Sequence, residues 1–238
     1  MTVFITGGSG GIGSAMVREF AALGYNVAFT YKSGETAAKE LEIAVPGSLA
    51  LYCDVANSES VDNAVKTAVA RFGGIDVLIN NAGIAGQRLF TDITEGEWDE
   101  MIDVNLKGCF LTCKAVLPEM IRRKSGVIIN VSSMWGICGA SCEVHYSAAK
   151  SGVIGLTKAL AKEVGLSGIR VNCIAPGVID TPMNANFSAD DMAALREEIP
   201  LHCIGSPETV AKAAAFLAGE GGEYITGQVI SPNGGMVI

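Results

Sequence analysis

The sequence predicts an α/β fold, a doubly wound parallel sheet with helices on both faces, in a single domain spanning residues 1–238. Three observations predict it. Short β-branched runs alternate with longer amphipathic stretches, and the strand-like runs are apolar throughout, as in sheets that are covered on both faces. A glycine-rich turn also follows the first run. With 238 residues, of which 49% are hydrophobic and 18% charged, the chain can bury one full core.

Each element follows from the local pattern. The predicted strands, in chain order, are TVFIT, NVAFTY, SLALYC, DVLIN, GVIINV, IRVNCIAP and GQVIS. The predicted helices are one from about Gly11, one ending near Ile43, one from Ser58, helices through about Lys124, one bearing Lys150, one from about Ala189 and one before the last strand. The helix from Ala189 is acidic early and has Arg196 late, which suits the helix dipole.

Composition excludes several classes of function. The formal net charge is −8 and the pI is about 4.8, so the chain lacks the basic surface that nucleic acid or an anionic membrane would require. The N-terminus has no basic region before its apolar run, so it does not resemble a signal peptide. The sequence contains no uninterrupted run of eighteen apolar residues that would predict a transmembrane helix, so we expect a cytoplasmic protein. Seven cysteines without zinc-site spacing predict reduced and mostly buried thiols, with no metal.

The turn TGGSGGIG, from Thr6 to Gly13, closes the first predicted strand and opens the first helix. Glycines there allow a tight turn and let backbone N–H groups approach a pyrophosphate at the helix N-terminus, as in Rossmann-type domains. Two registers fit the turn. One uses Gly8, Gly10 and Gly13, and the other uses Gly7, Gly11 and Gly13.

The second predicted strand ends at Tyr31 and Lys32, where an NAD-binding site usually presents an acidic residue to the ribose. A cation without a carboxylate suits a 2′-phosphate, so this position favours NADPH/NADP over NADH. After the third strand, Asp54 is placed to accept a hydrogen bond from an adenine amino group. A solvated Lys32 and an Asp54 that only caps a turn are the structural alternatives.

Tyr146 and Lys150 lie four residues apart in HYSAAK, on one face of a predicted helix. A free phenol has a pKa of about 10, too high for a base near neutrality, and a fixed cation beside it lowers that pKa. The pair therefore suits acid/base chemistry, although Y-x-x-x-K alone also occurs on solvated helix surfaces.

Six motifs occur along the chain in one order and at one spacing. They are the glycine turn, NNAG at residues 80–83, Asn105, VSS ending at Ser133, Tyr146/Lys150 and PG at residues 176–177. On these motifs the chain resembles the short-chain dehydrogenase/reductase family over nearly its whole length. The resemblance selects the register with Gly7, Gly11 and Gly13. It also implies a Rossmann-type fold and an NAD(P)-dependent oxidoreductase that interconverts a ketone and an alcohol.

The resemblance also implies roles for single residues. Ser133 matches the serine that hydrogen-bonds the substrate carbonyl, and Tyr146 matches the general acid/base. Lys150 matches the residue that binds the nicotinamide ribose and acidifies the phenol, and Asn105 matches the residue that holds a proton-relay water. The cofactor-binding residues implied, besides Tyr146 and Lys150, are Gly7, Ser9, Gly11, Ile12, Gly13, Tyr31, Lys32, Asp54, Val55, Asn81, Ala82, Gly83, Pro176, Gly177, Ile179 and Thr181.

Two substrates remain open at this point. Three segments are most similar to those of the 3-oxoacyl-carrier-protein reductases of fatty-acid synthesis, which are tetrameric and NADPH-dependent. The segments are NNAGI, IRVNCIAPG and ITGQ with NGG. The chain departs from that group at Gly10, at Cys142–His145 and at Ser167, where a carrier-docking arginine is expected. That departure leaves Arg122, Arg123 and Lys124 as the nearest basic cluster.

The segment WGICGASCEVHYS looks closer to a bacterial reductase of the 5-aminopentanone group on a lysine of elongation factor P. That substrate carries an ammonium, which Glu143 would attract. A non-catalytic dinucleotide-binding regulator is the alternative of another class. The segment at about 183–205 is expected to cover the substrate. The helix of Tyr146 has apolar and small residues enough for the sheet and a neighbouring subunit, so we expect a homotetramer.

Overall fold

The structure is a computed structural model that describes residues 1–182 and 188–238. These residues form one seven-stranded sheet in the order β3-β2-β1-β4-β5-β6-β7, and every neighbouring pair of strands is parallel. The predicted doubly wound fold is therefore confirmed. The first five residues of the predicted substrate-covering segment, 183–187, lie outside the described residues.

The strand bounds agree with the predicted runs to within a few residues. The strands are β1 (Thr2–Ile5), β2 (Asn26–Tyr31), β3 (Leu49–Tyr52), β4 (Val77–Asn80), β5 (Gly126–Val131), β6 (Ile169–Ile174) and β7 (Val229–Ile230). The helices are α1 (Gly11–Ala22), α2 (Glu35–Ala44), α3 (Ser58–Phe72), α4 (Glu95–Ile102), α5 (Gly108–Arg123), α6 (Trp135–Cys138), α7 (Val144–Val164), α8 (Ala189–Glu198) and α9 (Pro207–Ala218).

Apolar side chains on both faces of the strands explain why the sheet is covered twice. Val3 and Ile5 of β1 pack with α1, α2 and α9 on one face, whereas Phe4 between them packs with α3, α5 and α7 on the other. All three side chains are fully buried. Successive residues of a strand point to opposite faces, so a continuous apolar run serves two cores.

Strand order places the candidate site. The chain runs outward from β1 to β3 and then returns to β4 on the other side of β1. In open parallel sheets this reversal leaves a crevice at the carboxyl ends of the strands, where ligands bind. The glycine turn follows β1 and the NNAG motif follows β4, so both lie at that crevice.

The sequence pattern does not predict two local features of the fold. A five-residue π-helical turn, Asp103–Lys107, joins α4 to α5 and contains Asn105. The short helix α6 follows Ser133. π-turns insert one extra residue into a helical repeat, and the hydrophobic pattern tolerates that insertion, so periodicity does not reveal it.

The thiols agree with the sequence expectation. All seven cysteines are unpaired; Cys53, Cys109, Cys113 and Cys173 are buried. Burial raises the pKa of Cys109 to about 11 and that of Cys173 to about 12. Among the described residues, every helix is too short or too polar to cross a membrane.

Candidate active site

Four glycines give the turn after β1 its shape. Gly7 and Gly11 have φ angles of +64° and +48°, in the left-handed region that favours glycine. A Cβ on Gly13 would overlap the carbonyl oxygen of Gly7. A Cβ on Gly10 would meet no atom of the described residues within 4 Å. A Cβ on Gly8 would lie 2.6 Å from Phe29 Cβ, so the turn requires glycine at Gly7, Gly8, Gly11 and Gly13 but not at Gly10.

A threonine and an asparagine fasten the glycine turn to the loop after β4. Thr6 Oγ1 accepts hydrogen bonds from the N–H groups of Asn81 and Ala82, both at 3.0 Å. In return, Asn81 Nδ2 donates to the carbonyl oxygens of Thr6 and Gly7, at 3.1 and 3.0 Å. Sequence reasoning did not single out Thr6, although a polar residue at the end of an apolar strand was the available signal.

Asn105 and Lys150 meet at Gly83. A Cβ on Gly83 would lie 2.6 Å from Asn105 Oδ1 and 3.3 Å from Lys150 Nζ, so only glycine fits between them. Asn105 is fully buried. Its Nδ2 donates to the carbonyl oxygens of Ile84 and Met101, at 3.0 and 3.1 Å, and its Oδ1 accepts the N–H of Ile84 at 3.3 Å.

Tyr146 and Lys150 lie in the first two turns of α7. Lys150 Nζ is 5.6 Å from the centre of the Tyr146 ring and donates to the carbonyl oxygen of Val131 at 3.0 Å. The exposed fractions are 9% for Tyr146 and 4% for Lys150. The solvated-surface alternative for this pair is therefore wrong: an ammonium and a phenol share a buried site with the end of β5.

Ser133 follows β5 and is 9% exposed. Its hydroxyl oxygen accepts the N–H of Trp135 at 3.2 Å, which leaves the hydroxyl proton to donate elsewhere. The neighbouring Ser132 donates instead to the carbonyl oxygen of Lys150 at 2.8 Å. The two serines thus differ in use, since one fastens α7 and the other keeps a donor.

The segment after β6 crosses toward the glycine turn. The carbonyl oxygen of Pro176 accepts the N–H of Met134 at 2.9 Å, and the N–H of Gly177 donates to Pro232 at 3.1 Å. Ile179 is 5% exposed and belongs to the core. A Cβ on Gly11 would lie 3.3 Å from Thr181 Cγ2, so this segment reaches the turn after β1.

Residues assigned to the adenosine end contact one another. Lys32 Nζ lies 2.7 Å from Asp54 Oδ2, with side-chain exposures of 54% and 25%. The hydrogen bond to Asp54 raises the pKa of Lys32, with burial acting in the opposite direction. Burial raises the pKa of Asp54, but hydrogen bonds from Lys32 and the N–H of Ala56 more than offset it, so this pKa lies below its usual value.

Tyr31 and Val55, two of the cofactor-binding residues that the resemblance implied, are both largely buried. Tyr31 is 8% exposed, and its hydroxyl donates to Glu35 at 3.3 Å. Val55 is 7% exposed and packs against Gly108. In the same turn as the motif glycines, Ser9 is half-buried and Ile12 packs against the core. The side chain of Tyr31 is thus part of the core beside the site.

A pocket adjoins the start of α7, lined by Gln87, Arg88, Glu97 and His145 among others. Gln87 Nε2 donates to Glu143 Oε1 at 3.3 Å. Burial raises the pKa of Glu143, and the bond from Gln87 and the nearby His145 act in the opposite direction. His145 is 2% exposed, and its Nδ1 has no partner among the described residues. Sequence reasoning gave His145 no role.

The basic cluster proposed for carrier docking is largely committed to internal partners. Arg122 forms two hydrogen bonds with Glu119, at 2.9 and 2.6 Å. Arg123 bonds Asp76 Oδ1 at 2.6 Å and also donates to the carbonyl oxygen of Ile75. A carboxylate therefore neutralises each arginine, and Lys124 carries the remaining charge of the cluster.

Comparisons with known proteins agree with this geometry. A family model described as Enoyl-(Acyl carrier protein) reductase matches residues 7–237. The 3-oxoacyl-(acyl-carrier-protein) reductase FabG of Chlamydia trachomatis is 43% identical over 240 residues, covering 99% of this chain and 96% of that protein. Its namesake from Staphylococcus epidermidis is 42% identical over 239 residues, covering 99% and 98%. The one from Staphylococcus aureus is 41% identical over 239 residues, covering 99% and 97%.

These matches extend over nearly the whole chain, and the expected resemblance is confirmed. The nicotinamide dinucleotide follows from the family, whose members use it to interconvert keto and hydroxyl groups. The chain belongs to the short-chain dehydrogenase/reductase family and is an NAD(P)-dependent oxidoreductase that acts on a keto group.

Proposed function

We propose that this protein is an NADPH-dependent 3-oxoacyl-acyl-carrier-protein reductase, which converts the 3-oxo group of an acyl thioester to a secondary alcohol. The observation that carries the proposal is the buried pair of Tyr146 and Lys150, with the ammonium 5.6 Å from the phenol ring centre. Three curated relatives with the corresponding name, at 41–43% identity over 99% of the chain, support the choice of substrate.

The residues present fit a dinucleotide. Gly13 lacks a Cβ, so α1 packs directly against the carbonyl of Gly7, whereas the space around the Cα of Gly10 is open. The N-terminus of α1, which can bind a pyrophosphate, follows directly. Gly10 is the N-cap residue of α1 and has no side chain, so within residues 1–182 and 188–238 it leaves the N–H groups of that N-terminus without a side-chain cap. We assign the pyrophosphate to Gly7, Ser9, Gly11, Ile12 and Gly13, the adenosine to Tyr31, Lys32, Asp54 and Val55, and the nicotinamide end to Asn81, Ala82, Gly83, Tyr146, Lys150, Pro176, Gly177, Ile179 and Thr181.

Lys32 supports NADPH over NADH, because its side chain is 54% exposed at the end of β2 and its ammonium can meet a 2′-phosphate. Asp54 limits that preference. Its carboxylate lies 2.7 Å from the same ammonium and repels a phosphate. When the 2′-phosphate binds, the Lys32 ammonium must therefore either contact both anions or leave Asp54.

The chemistry assigned to the chain is proton transfer and positioning. Bound nicotinamide supplies the hydride to the carbonyl carbon. Tyr146 gives its phenolic proton to the carbonyl oxygen, which the hydroxyl proton of Ser133 positions. Lys150 stabilises the phenolate that remains, because a cation near a phenol favours its charged form. Asn105 is assigned to the water that returns a proton, at the π-helical turn beside Lys150.

A homotetramer is part of the proposal. Gly155 and Ala159 of α7 are exposed, and Phe110 and Ile121 of α5 are exposed apolar residues, at 48% and 44%. Small residues allow close approach of helices, and exposed apolar faces favour association. Light scattering at micromolar concentration should report four chains, and a monomer would contradict this assignment.

One observation favours a second substrate, the 5-aminopentanone group on a lysine of elongation factor P. Glu143 lies three residues before Tyr146, is partly buried, and hydrogen-bonds the neutral amide of Gln87. A partly buried carboxylate is stabilised more by a cation, such as the ammonium of that substrate, than by a neutral amide. An acyl thioester has no such group.

The test is a substrate panel with NADPH, using carrier-bound 3-oxoacyl groups, short 3-oxoacyl thioesters, an enoyl thioester and the modified elongation factor. The proposal expects the highest kcat/KM for carrier-bound 3-oxoacyl groups. Glu143→Gln should leave that value unchanged and lower it for an amine-bearing ketone. Preferred turnover of the elongation factor or of the enoyl thioester would overturn the proposed substrate, and NADPH binding without any turnover would favour the regulator alternative.

A further inference from the structure

Four buried polar side chains form a hydrogen-bonded series beneath the candidate active site. They are Thr112 of α5, Asn80 of β4, Asn130 of β5 and Thr157 of α7, and none of them is more than 2% exposed. We call this group the strand-end amide chain. Buried amides and hydroxyls cost stability unless they are partnered, so a fully partnered series across four elements needs a reason.

The hydrogen bonds of the strand-end amide chain all run in one direction. Thr112 Oγ1 donates to Asn80 Oδ1 at 2.5 Å. Asn80 Nδ2 then donates to Asn130 Oδ1 at 2.8 Å, and Asn130 Nδ2 donates to Thr157 Oγ1 at 2.9 Å. Thr157 Oγ1 in turn donates a hydrogen bond to the carbonyl oxygen of Val153 at 2.8 Å. Aligned bonds polarise one another, so the series is stronger than isolated pairs.

The two strand residues of this chain directly precede parts of the candidate site. Asn80 comes immediately before Asn81, in the loop that contains Gly83. Asn130 comes immediately before Val131, whose carbonyl oxygen accepts Lys150 Nζ at 3.0 Å. Asn80 and Asn130 are also register partners in the sheet.

The two helix residues lie at the same separation in sequence from a residue of the candidate site. Thr157 lies seven residues after Lys150, and Thr112 lies seven residues after Asn105. Seven residues are about two helical turns, so Thr157 returns to the face of α7 that carries Lys150. The strand-end amide chain therefore joins α7, which carries the Tyr146/Lys150 pair, to α5, β4 and β5, which directly adjoin the segments of Asn105, Gly83 and Ser133.

Helix α7 is fastened to the end of β5 in three places. Ser132 Oγ donates to the carbonyl oxygen of Lys150, Lys150 Nζ donates to Val131, and Asn130 donates to Thr157. The first two bonds use Lys150 itself. Only the third bond holds the helix at a point away from the reacting groups.

We propose that the strand-end amide chain positions α7 on the sheet, and that Thr157 and Asn130 are positioning residues for the reaction. The inference rests on the proposed function, because it takes Ser133 and Tyr146 to act on the same carbonyl oxygen. Apolar burial is non-directional, whereas a hydrogen bond has a preferred distance and angle and so adds a specific constraint on position. Groups that share one oxygen require that position to be fixed, since small misplacements cost much of the rate.

The test is Thr157→Val, which keeps the side-chain volume and removes the hydroxyl that Asn130 needs. We expect kcat to fall about 10-fold at 25 °C, since a small misplacement of reacting groups costs rate rather than affinity. The KM values for NADPH and ketone should change less than about 2-fold, in keeping with a loss confined to the transition state. Thr157→Ser, which keeps the hydroxyl, should restore kcat.

The control is Val210→Ala on α9, a fully buried residue on the opposite face of the sheet. It should lower Tm and leave kcat at 25 °C unchanged. The proposal is overturned if Thr157→Val also lowers Tm with kcat unchanged, or if Thr157→Ser fails to restore kcat. Should Thr157→Val not fold, Thr112→Val at the other end must show the same loss of kcat, and normal kcat there overturns the proposal. Failure of the proposed function is distinct, because native enzyme would then reduce no 3-oxoacyl thioester.

Discussion

Cofactor preference should depend on the balance between Lys32 and Asp54. The ammonium and carboxylate lie 2.7 Å apart and are partly exposed, so solvent and salt screen both charges. A unit charge about 4 Å from a phosphate contributes about 1 kcal/mol in water, or about 5-fold in Kd. Lys32→Ala should therefore raise the Kd of NADPH about 5-fold and leave the Kd of NADH unchanged.

Asp54→Asn should change the preference in the opposite direction. It removes the carboxylate that competes with the 2′-phosphate for Lys32, so the ratio of NADH Kd to NADPH Kd should rise by up to about 5-fold. Both cofactors carry the same adenine, so a weaker hydrogen bond to that ring changes both Kd values equally and cancels in the ratio. Raising the salt concentration should reduce both effects, because the screening length falls from about 10 Å at 0.1 M to about 3 Å at 1 M.

Isothermal calorimetry with both cofactors measures this ratio directly. Lys66→Ala, an exposed lysine on α3, is the matched control and should leave the ratio unchanged. The reasoning would be refuted if Lys32→Ala weakened NADPH and NADH equally. It would also be refuted if Asp54→Asn lowered the preference for NADPH.

The other predictions concern stability, the glycine turn and the thiols. Arg123→Ala leaves partly buried Asp76 without its cationic partner, although the N–H of Thr2 still donates to it, and should cost about 1–2 kcal/mol in urea unfolding. Exposed Arg122→Ala should change stability little, and equal effects would contradict this. Gly13→Ala should abolish NADPH binding or folding, while Gly10→Ala should still fold with native circular dichroism. A disulfide reagent at pH 8 should label three thiols rapidly and the four buried ones only after unfolding.

The sequence predicted the fold because its signals were local and redundant. Strands buried on both faces read as unbroken apolar runs, such as VFI in β1 and VII in β5, and a glycine turn marked the end of β1. The local pattern left two glycine registers open, and only the family resemblance selected one of them. Gly7, Gly8, Gly11 and Gly13 each have a backbone angle or close contact that a side chain would disturb.

Pairing between distant residues was not predictable in the same way. Lys32 and Asp54 were interpreted separately because they lie on different strand ends, and the structure brings them into one ion pair. Arg123 was interpreted as part of the basic cluster nearest to a carrier-docking position, but its guanidinium bonds Asp76, 47 residues away in sequence. Such contacts depend on the strand order, which periodicity alone does not give.

The π-helical turn at Asn105 illustrates a second limit. Its sequence, DVNLK, carries no glycine or proline that would mark an irregular helix. The strand-end amide chain illustrates a third, because Asn80 and Asn130 stand at the ends of apolar strands and become informative only once they are seen to be register partners.

The most direct test of the central claim is the rate of NADPH oxidation by Tyr146→Phe with a 3-oxoacyl thioester. This substitution removes only the phenolic oxygen, so kcat should fall at least about 10²-fold, as expected for loss of a general acid. The Kd of NADPH, measured by fluorescence on the same preparation, should remain within about 2-fold of the native value, because the ring and Lys150 are retained. A Tyr146→Phe enzyme that folds, binds NADPH and turns over at the native rate would contradict the account.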